Sequence, residues 1–293
     1  MFHKILGKYG IEFASALPFS RCRVFAPEII ERRGVSPSEI KTAVLFLVPY
    51  YVCDGEKGNI SVYARAHDYH LFFENLYKEA APALEAEYGA PFFGFADKSA
   101  IAEVHAASSA GLGMIGDNGL IINEKYGSFV FIGELLTPAE PSAFGISESE
   151  TPEPTFCSHC GACKKACPMS EGYGCLSMVT QKKGELTEGE REFILRHGSA
   201  WGCDVCAAVC PHTKKAIAQG AETPIEFFRQ ERIASLSSEA VNAMDKAAFR
   251  KRAFAWRGKK TILRNLAIFE EAEPTAQESR HFEQTENING EEN

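Results

Sequence analysis

The sequence predicts an α/β (α+β) protein: an N-terminal domain of mixed strands and helices, a cysteine-rich module, and C-terminal helices. Three observations lead there. Strand-like and helix-like runs alternate up to about residue 138, eight of the ten cysteines fall within a 54-residue stretch, and apolar residues at helical spacing return after residue 211. A chain of 293 residues with 45% hydrophobic and 24% charged residues is long enough for a sizeable core and is neither fibrous nor wholly disordered.

Residues 41–52 (KTAVLFLVPYYV) are rich in Val, Leu and Tyr between polar flanks and read as a buried strand. Residues 69–88 place Leu71, Phe72, Leu76, Ala80 and Leu84 at helical spacing, so a crossover helix is predicted there despite Pro82. Residues 119–122 and 128–136 read as two strands joined by a turn at 125–127. The stretch 137–154, with Pro138, Pro141, Pro152 and Pro154, reads as a linker. Helices are predicted over 238–249 and 253–269. The resulting division is 1–140 for the α/β domain, 150–220 for the cysteine module, 221–269 for a helical segment and 270–293 for a disordered acidic tail.

The formal net charge is −8, and the tail carries most of it: eight acids between residues 270 and 293 face a single base, Arg280. The rest of the chain is close to neutral, so the acidic total does not exclude a polyanionic partner. The longest apolar run, residues 42–53, is too short for a membrane span, which needs about 20 residues, and Pro49 interrupts it. At the N-terminus, Lys4, Lys8 and Glu12 break up the apolar residues, leaving no secretory h-region. A cytoplasmic protein without membrane contact is expected, and in that compartment clustered thiols bind metal more readily than they form disulfides.

The first cysteine block, Cys157-Ser-His-Cys160-Gly-Ala-Cys163-Lys-Lys-Ala-Cys167-Pro168, has the spacing by which bacterial two-cluster ferredoxins hold 4Fe-4S cubanes. The second, Cys203-Asp-Val-Cys206-Ala-Ala-Val-Cys210-Pro211, adds three thiolates, and Cys175 brings the total to the eight that two cubanes require. In such ferredoxins the last cysteine of each block crosses to the other cluster. That rule assigns Cys157, Cys160, Cys163 and Cys210 to one cubane and Cys167, Cys175, Cys203 and Cys206 to the other. A pair of four-thiolate zinc sites is the competing reading, but zinc motifs rarely run three cysteines at successive two-residue gaps and then add Cys-Pro. Cys22 and Cys53 lack partner motifs and are expected to be buried thiols.

Beyond the cysteines, the chain resembles the epoxyqueuosine reductases from about residue 11 to about residue 269. The resemblance is carried by Tyr63-Ala-Arg65-Ala-His67-Asp68-Tyr69-His70, by Asp97 with Ser99 and Glu103, by Gly111-Leu-Gly113-Met-Ile-Gly116, and by Gly127-Ser128 leading to Glu134-Leu-Leu-Thr137. Residues 175–180 (CLSMVT), Gly202-Cys-Asp-Val-Cys206, Arg257-Gly and Arg264-Asn265 extend it. The resemblance implies a nitroreductase-like, cobalamin-binding N-terminal domain, related to that of reductive dehalogenases, ahead of the ferredoxin-like module. It further implies two 4Fe-4S clusters, cobalamin bound without a protein histidine on cobalt, and reduction of an epoxide in a modified tRNA nucleoside during queuosine biosynthesis.

By the same resemblance Asp97 is the catalytic proton donor. Opening an epoxide leaves an alkoxide, which a nearby carboxylic acid must protonate, and the apolar run 92–96 is expected to raise the Asp97 pKa by desolvation. Read from the sequence alone, Asp97 is rather a cap of the helix that follows, and it is the resemblance that favours the proton donor. Arg65, Tyr69, His70, Gly111, Gly113 and Gly116 are the expected cofactor contacts. The bland alternatives are a surface salt bridge for Arg65, surface or capping roles for His67 and His70, and ordinary turns for the glycines. The chain departs from the family pattern at Asp117, where lysine is usual, and at His212-Thr213, where Trp-Asn is usual.

Arg250, Lys251, Arg252, Arg257, Lys259, Lys260 and Arg264, with Phe254 and Trp256 among them and no acid, form an expected tRNA-binding stripe. A solvated helix face would look the same. An electron donor protein is expected as a second partner. Two other functions fit the same residues: a ferredoxin-like electron carrier without corrinoid, or a corrinoid reductase acting on another small electrophile.

Overall fold

A four-stranded antiparallel sheet organises the N-terminal domain of the computed structural model, which describes residues 1–55, 57–147, 152–169 and 174–272. In chain order the strands are β1 (Phe13–Pro18), β2 (Thr42–Pro49), β3 (Phe93–Phe95), β4 (Met114–Ile115), β5 (Ile121–Ile122) and β6 (Val130–Thr137). The main sheet has the order β1-β2-β6-β3, with Phe46 opposite Gly133 in the central pair, while β4 and β5 form a separate two-stranded sheet. The two strands expected around the 125–127 turn both exist, but they belong to different sheets.

β2 explains the apolar run of the sequence. Its residues alternate between two cores: Ala43, Leu45 and Leu47 face one, and Val44, Phe46 and Val48 the other. Period-two alternation is invisible when both faces are buried, so the run looks like a parallel strand although it pairs antiparallel. The helix Tyr69–Tyr88 covers one face with Phe72, Phe73, Leu76, Ala80 and Leu84, and continues through Pro82. The short helix Glu103–Ser109 covers the other face with Ala106 and Ala107. The domain is thus three layers, helix, sheet and helix, on the α+β side of the predicted class.

The segment 221–269 contributes to cores shared with other parts of the chain. Ile225 and Phe228 join the core under the helix Tyr69–Tyr88, and Phe254, Ile262 and Leu266 close over Ile60, Ala64 and Trp201. The helix expected over 238–249 is two, Ser238–Ala243 and Lys246–Arg250, because Asp245 caps a new start through the N–H groups of Ala247 and Ala248. Likewise Gly258 separates the turn Ala253–Arg257 from the helix Lys259–Ala272. That last helix extends through residues 270–272, which the sequence assigned to the tail; the remainder of the expected tail lies outside the described residues. The linker reading also gives way in part. Pro141–Phe144 is a short helix, and the Phe144 ring stacks on Tyr88 at 4.4 Å.

Candidate active site

Asp97 stands just beyond the edge strand β3, at the apex of a three-residue turn closed by the Lys98 N–H to the Ala96 carbonyl at 2.7 Å. Its φ of +66° lies in the left-handed region that few non-glycine residues occupy. The turn throws the carboxylate away from the sheet, where the Tyr69 hydroxyl donates to Oδ2. Asp97 does not cap the next helix, whose N-cap is Ala102. Its side chain is 59% exposed, so the apolar run before it does not enclose the carboxylate; Phe92 and Phe95 are buried in the two cores instead.

The Asp-Tyr-His sequence has a clear local logic. Asp68 caps the helix Tyr69–Tyr88, and its Oδ1 accepts both from the His70 N–H at 3.0 Å and from His70 Nδ1 at 2.8 Å. The second imidazole nitrogen then lies 3.9 Å from Asp97 Oδ2. The Asp68 hydrogen bond raises the His70 pKa above its ordinary value. Tyr69 is sandwiched between Phe131 and His70, both rings 4.3 Å away. Burial and the Asp97 carboxylate hold the Tyr69 phenol protonated well above its usual range, which keeps it a donor.

Asp97 is common to three cavities. The largest, about 610 Å³, is walled by Tyr50, Tyr63, Tyr69, Phe131 and Trp256, with Ser177 and Gln181 from the cysteine module. A second, about 490 Å³, lies toward Arg23, Phe25, His105 and Phe156. A third, about 130 Å³, runs inward along Phe73, Leu120, Val130 and Ile132. Two unpaired polar groups face these spaces: the buried Ser128 Oγ lines the first and third, and His105, with neither ring nitrogen bonded, lines the second.

Desolvation, expected at Asp97, falls on two other carboxyls. Glu103 lines the second and third cavities together with Asp97, and burial, reinforced by the Asp97 charge, pushes its pKa up to about 7. Behind it Glu134 on β6 is fully buried and raised to about 8, chiefly by burial, although Ser99 Oγ donates to it at 2.7 Å. Glu103 and Glu134 are part of the family-like pattern, but nothing in a one-dimensional pattern distinguishes a cavity wall from a helix start.

The cysteines lie in two neighbourhoods. Cys157, Cys160, Cys163 and Cys210 line one cavity with Gly116, Asn118 and His212. Burial raises the Cys203 and Cys206 thiols, and the nearby Cys175 adds to both, as Cys167 does at Cys206. Among the described residues, the only group of three or more potential ligand atoms within 4.8 Å of one another is Asp117, Cys157 and His159. Four thiolates on one tetrahedral zinc would sit about 3.8 Å apart, given a Zn–S bond of about 2.3 Å. No such foursome of thiols occurs among the described residues.

Two contacts lock the cysteine module to the α/β domain. Asp204, between Cys203 and Cys206, accepts from Ser61 Oγ at 2.5 Å and from the Val62 N–H at 2.8 Å. Beside it Gly202 has φ +73°, and a Cβ there would meet Ser61 at 2.5 Å, so the Gly-Cys-Asp sequence is a docking element. On the other side Asp117 binds His159 at 2.7 Å and Lys164 at 3.6 Å, both within the first cysteine block. The departure from lysine at this position therefore has a local counterpart in the Lys164 cation and the His159 ring that it meets.

The remaining expected contacts are more scattered. Arg65 lines none of these cavities and forms a buried ion pair with Asp54 at 2.9 Å, which Arg232 shares at 2.6 Å. His67 pairs with Glu231 at 3.2 Å. Gly111 takes φ +78° at the end of a helix, Gly113 presses against the Ile122 carbonyl, and Gly116 lines the cysteine cavity. In the basic stripe, Arg252 is buried and donates to the Glu231 carbonyl, Arg264 to the Lys182 carbonyl and Lys259 to the Asn242 carbonyl. Arg250, Lys251 and Lys260 are exposed, and Arg257 stacks 3.7 Å over the Trp256 ring. Cys53 is exposed rather than buried; Cys22 packs partly against the sheet core.

Residues 156–214 match the model of a 4Fe-4S dicluster domain. A curated epoxyqueuosine reductase from Leadbetterella byssophila is 30% identical over 251 residues, covering 79% of this chain and 78% of the relative. The chain belongs to the epoxyqueuosine reductase family. A family member from Listeria monocytogenes is 36% identical over 185 residues, 59% of this chain and 46% of that protein. Against several curated members the match spans only 46% to 61% of the member's length. A crystal structure of epoxyqueuosine reductase with an epoxyqueuosine-modified tRNA stem loop superposes with a TM-score of 0.72, covering 92% of this chain and 79% of that one at 21% identity. The family fold therefore extends over both the α/β domain and the cysteine module. Among the described residues no helix is long and apolar enough to cross a membrane.

Proposed function

We propose that this chain is a cytoplasmic iron–sulfur, cobalamin-dependent oxidoreductase that removes the epoxide oxygen from a modified tRNA nucleoside in queuosine biosynthesis. The observation that carries the reading is the position of Asp97: a carboxyl held by Tyr69, open to a large aromatic-walled cavity whose wall includes Ser177 and Gln181 from the module that holds the cysteines. A plain electron carrier has no use for such a chamber.

In this reading Cys157, Cys160, Cys163 and Cys210 ligate one 4Fe-4S cluster, and Cys167, Cys175, Cys203 and Cys206 the other. Electrons enter from a donor protein. The loop 115–120 lies between the first cysteine set and the Asp97 cavities, with Gly116 and Asn118 on one side and Ile115, Gly119 and Leu120 on the other. The cavities suit a broad, amide-rimmed ligand such as cobalamin, since the unpaired Ser128 Oγ and His105 ring offer hydrogen bonds and the tyrosines offer a flat wall. When bound, it supplies a metal centre that low-potential clusters can reduce.

The protein's own residues handle the proton. Tyr69 fixes the Asp97 carboxyl, Asp97 donates to the oxygen leaving carbon, and His70, tied to Asp68 and about half exposed, connects Asp97 to solvent. Gln181 and Trp256 also border a neighbouring groove of about 500 Å³ lined by Met178, Lys182, Lys183 and Arg257. Trp256 is 57% exposed and offers a base-stacking surface, with Lys183 beside it for phosphates. This rim supports tRNA binding better than the full 250–264 stripe, several of whose cations are committed internally. The solved relative with its tRNA stem loop supports the same substrate class.

The test is anaerobic reconstitution with iron, sulfide and cobalamin, followed by reaction with epoxyqueuosine-containing RNA. Wild-type protein converts the nucleoside, and Asp97→Asn keeps both cofactors but loses turnover. Normal conversion by that variant would remove Asp97 from its role. Comparing that RNA with small epoxides and organohalides separates this function from a corrinoid reductase of other electrophiles.

A further inference from the structure

Deoxygenating an epoxide to an alkene breaks two C–O bonds, forms a C=C bond and releases water. The balance requires two electrons and two protons. Two reduced clusters give up one electron each, but Asp97 carries only one proton per protonation, so each turnover requires a second donor or a refilling step.

Resting on the function proposed above, we infer that Glu103 supplies the second proton, acting beside Asp97 as the other half of an acid pair. Asp97 and Glu103 are the only acidic side chains lining both the 490 Å³ and the 130 Å³ cavities. Glu103 opens the helix Glu103–Ser109, is largely enclosed, faces the Asp97 charge, and has no hydrogen-bond or ion-pair partner for its side chain among the described residues. The titratable and charged groups around it are Asp97 from the turn after β3, Glu134 from β6 and Tyr77 from the long helix, with Arg23 and His105 across the larger of these two cavities. Two carboxyls flank it, and among the described residues neither Arg23 nor His105 is ion-paired with it, so the site favours a neutral, proton-bearing Glu103. Its pKa of about 7 keeps that proton available near neutrality.

The proton sequence follows. Asp97, first reprotonated through His70, protonates the oxygen as the first C–O bond opens and the two electrons pass to the carbon it leaves, giving a hydroxyl beside a reduced carbon. Glu103 protonates that hydroxyl as the second C–O bond breaks, so that oxygen departs as water. Both carboxylates then refill from solvent, Asp97 through His70.

The test compares wild type, Glu103→Gln and Glu103→Asp, each loaded with both clusters and cobalamin. Glu103→Gln should lower kcat about 100-fold with KM changed less than about threefold, and abolish the decline of kcat as pH rises through neutrality; Glu103→Asp should recover to within about tenfold of wild type. Infrared spectra of the same proteins without substrate provide a readout independent of turnover. A protonated-carboxyl band that disappears as pH rises through about 7 should be present in wild type and in Glu134→Gln, and absent from Glu103→Gln. Active wild type with an equally active Glu103→Gln, or an unchanged band in that variant, overturns the inference and leaves the functional reading intact. Fully loaded wild type that leaves the epoxide untouched overturns the functional reading, and the inference with it.

Discussion

Asp97 is held by a contact that sequence inspection does not reveal. Its turn takes a positive φ, and the Tyr69 hydroxyl is what the carboxylate meets. Removing the carboxyl proton while keeping its shape, as in Asp97→Asn, should cost about 10² to 10⁴ in kcat with cluster content unchanged, measured by single-turnover kinetics beside iron analysis. Tyr69→Phe should cost about 10- to 100-fold, the worth of one hydrogen bond to a charged group. The identity of Asp97 was legible through its family-like neighbours, but the expected desolvation was misplaced. Phe92 and Phe95 point into the cores, while Glu103 and Glu134 lose their water. Whether an aromatic run shields the residue after it depends on which way the edge strand turns, and the run does not encode that.

At the level of elements, the cysteine module was the most legible part. Its spacing follows from how a short loop directs three thiolates at one cubane, and residues 156–214 match a 4Fe-4S dicluster domain. Strand pairing was less legible, because β2 is buried on both faces and its apolar run conceals its antiparallel partners. Helix breaks at Asp245 and Gly258 were missed since apolar periodicity carries across them. The docking element Gly202-Cys203-Asp204 supplies a test at this scale. Gly202→Ala forces a Cβ into Ser61 and a left-handed backbone onto alanine, a cost of at least about 1–2 kcal/mol. It should lower the denaturation midpoint and deplete the cluster proposed at Cys203 and Cys206, readable by thermal melts and by paramagnetic resonance of the reduced protein.

For the whole molecule, the enclosed carboxyls link stability to pH. Glu134 has a pKa of about 8 in the folded chain against an ordinary 4.5, so between those values the folded state holds a proton the unfolded chain has released. Its stabilisation is complete below about 4.5 and is lost as pH rises through about 8, at up to about 1.4 kcal/mol per pH unit inside that window. Denaturant titrations from pH 6 to 9 should show this fall in wild type and a shallower one in Glu134→Gln. Glu103 contributes in the same direction and leaves a residual slope. The same enclosed region adjoins the thiol-lined cavity across the loop 115–120, the arrangement that the proposed function requires. The most direct test is single-turnover mass analysis of the nucleoside after pre-reduced protein, carrying both clusters and cobalamin, meets an epoxyqueuosine-containing tRNA stem loop without oxygen. The account predicts the loss of one oxygen atom from the nucleoside. Protein with every cofactor in place that returns the epoxide unchanged would contradict it.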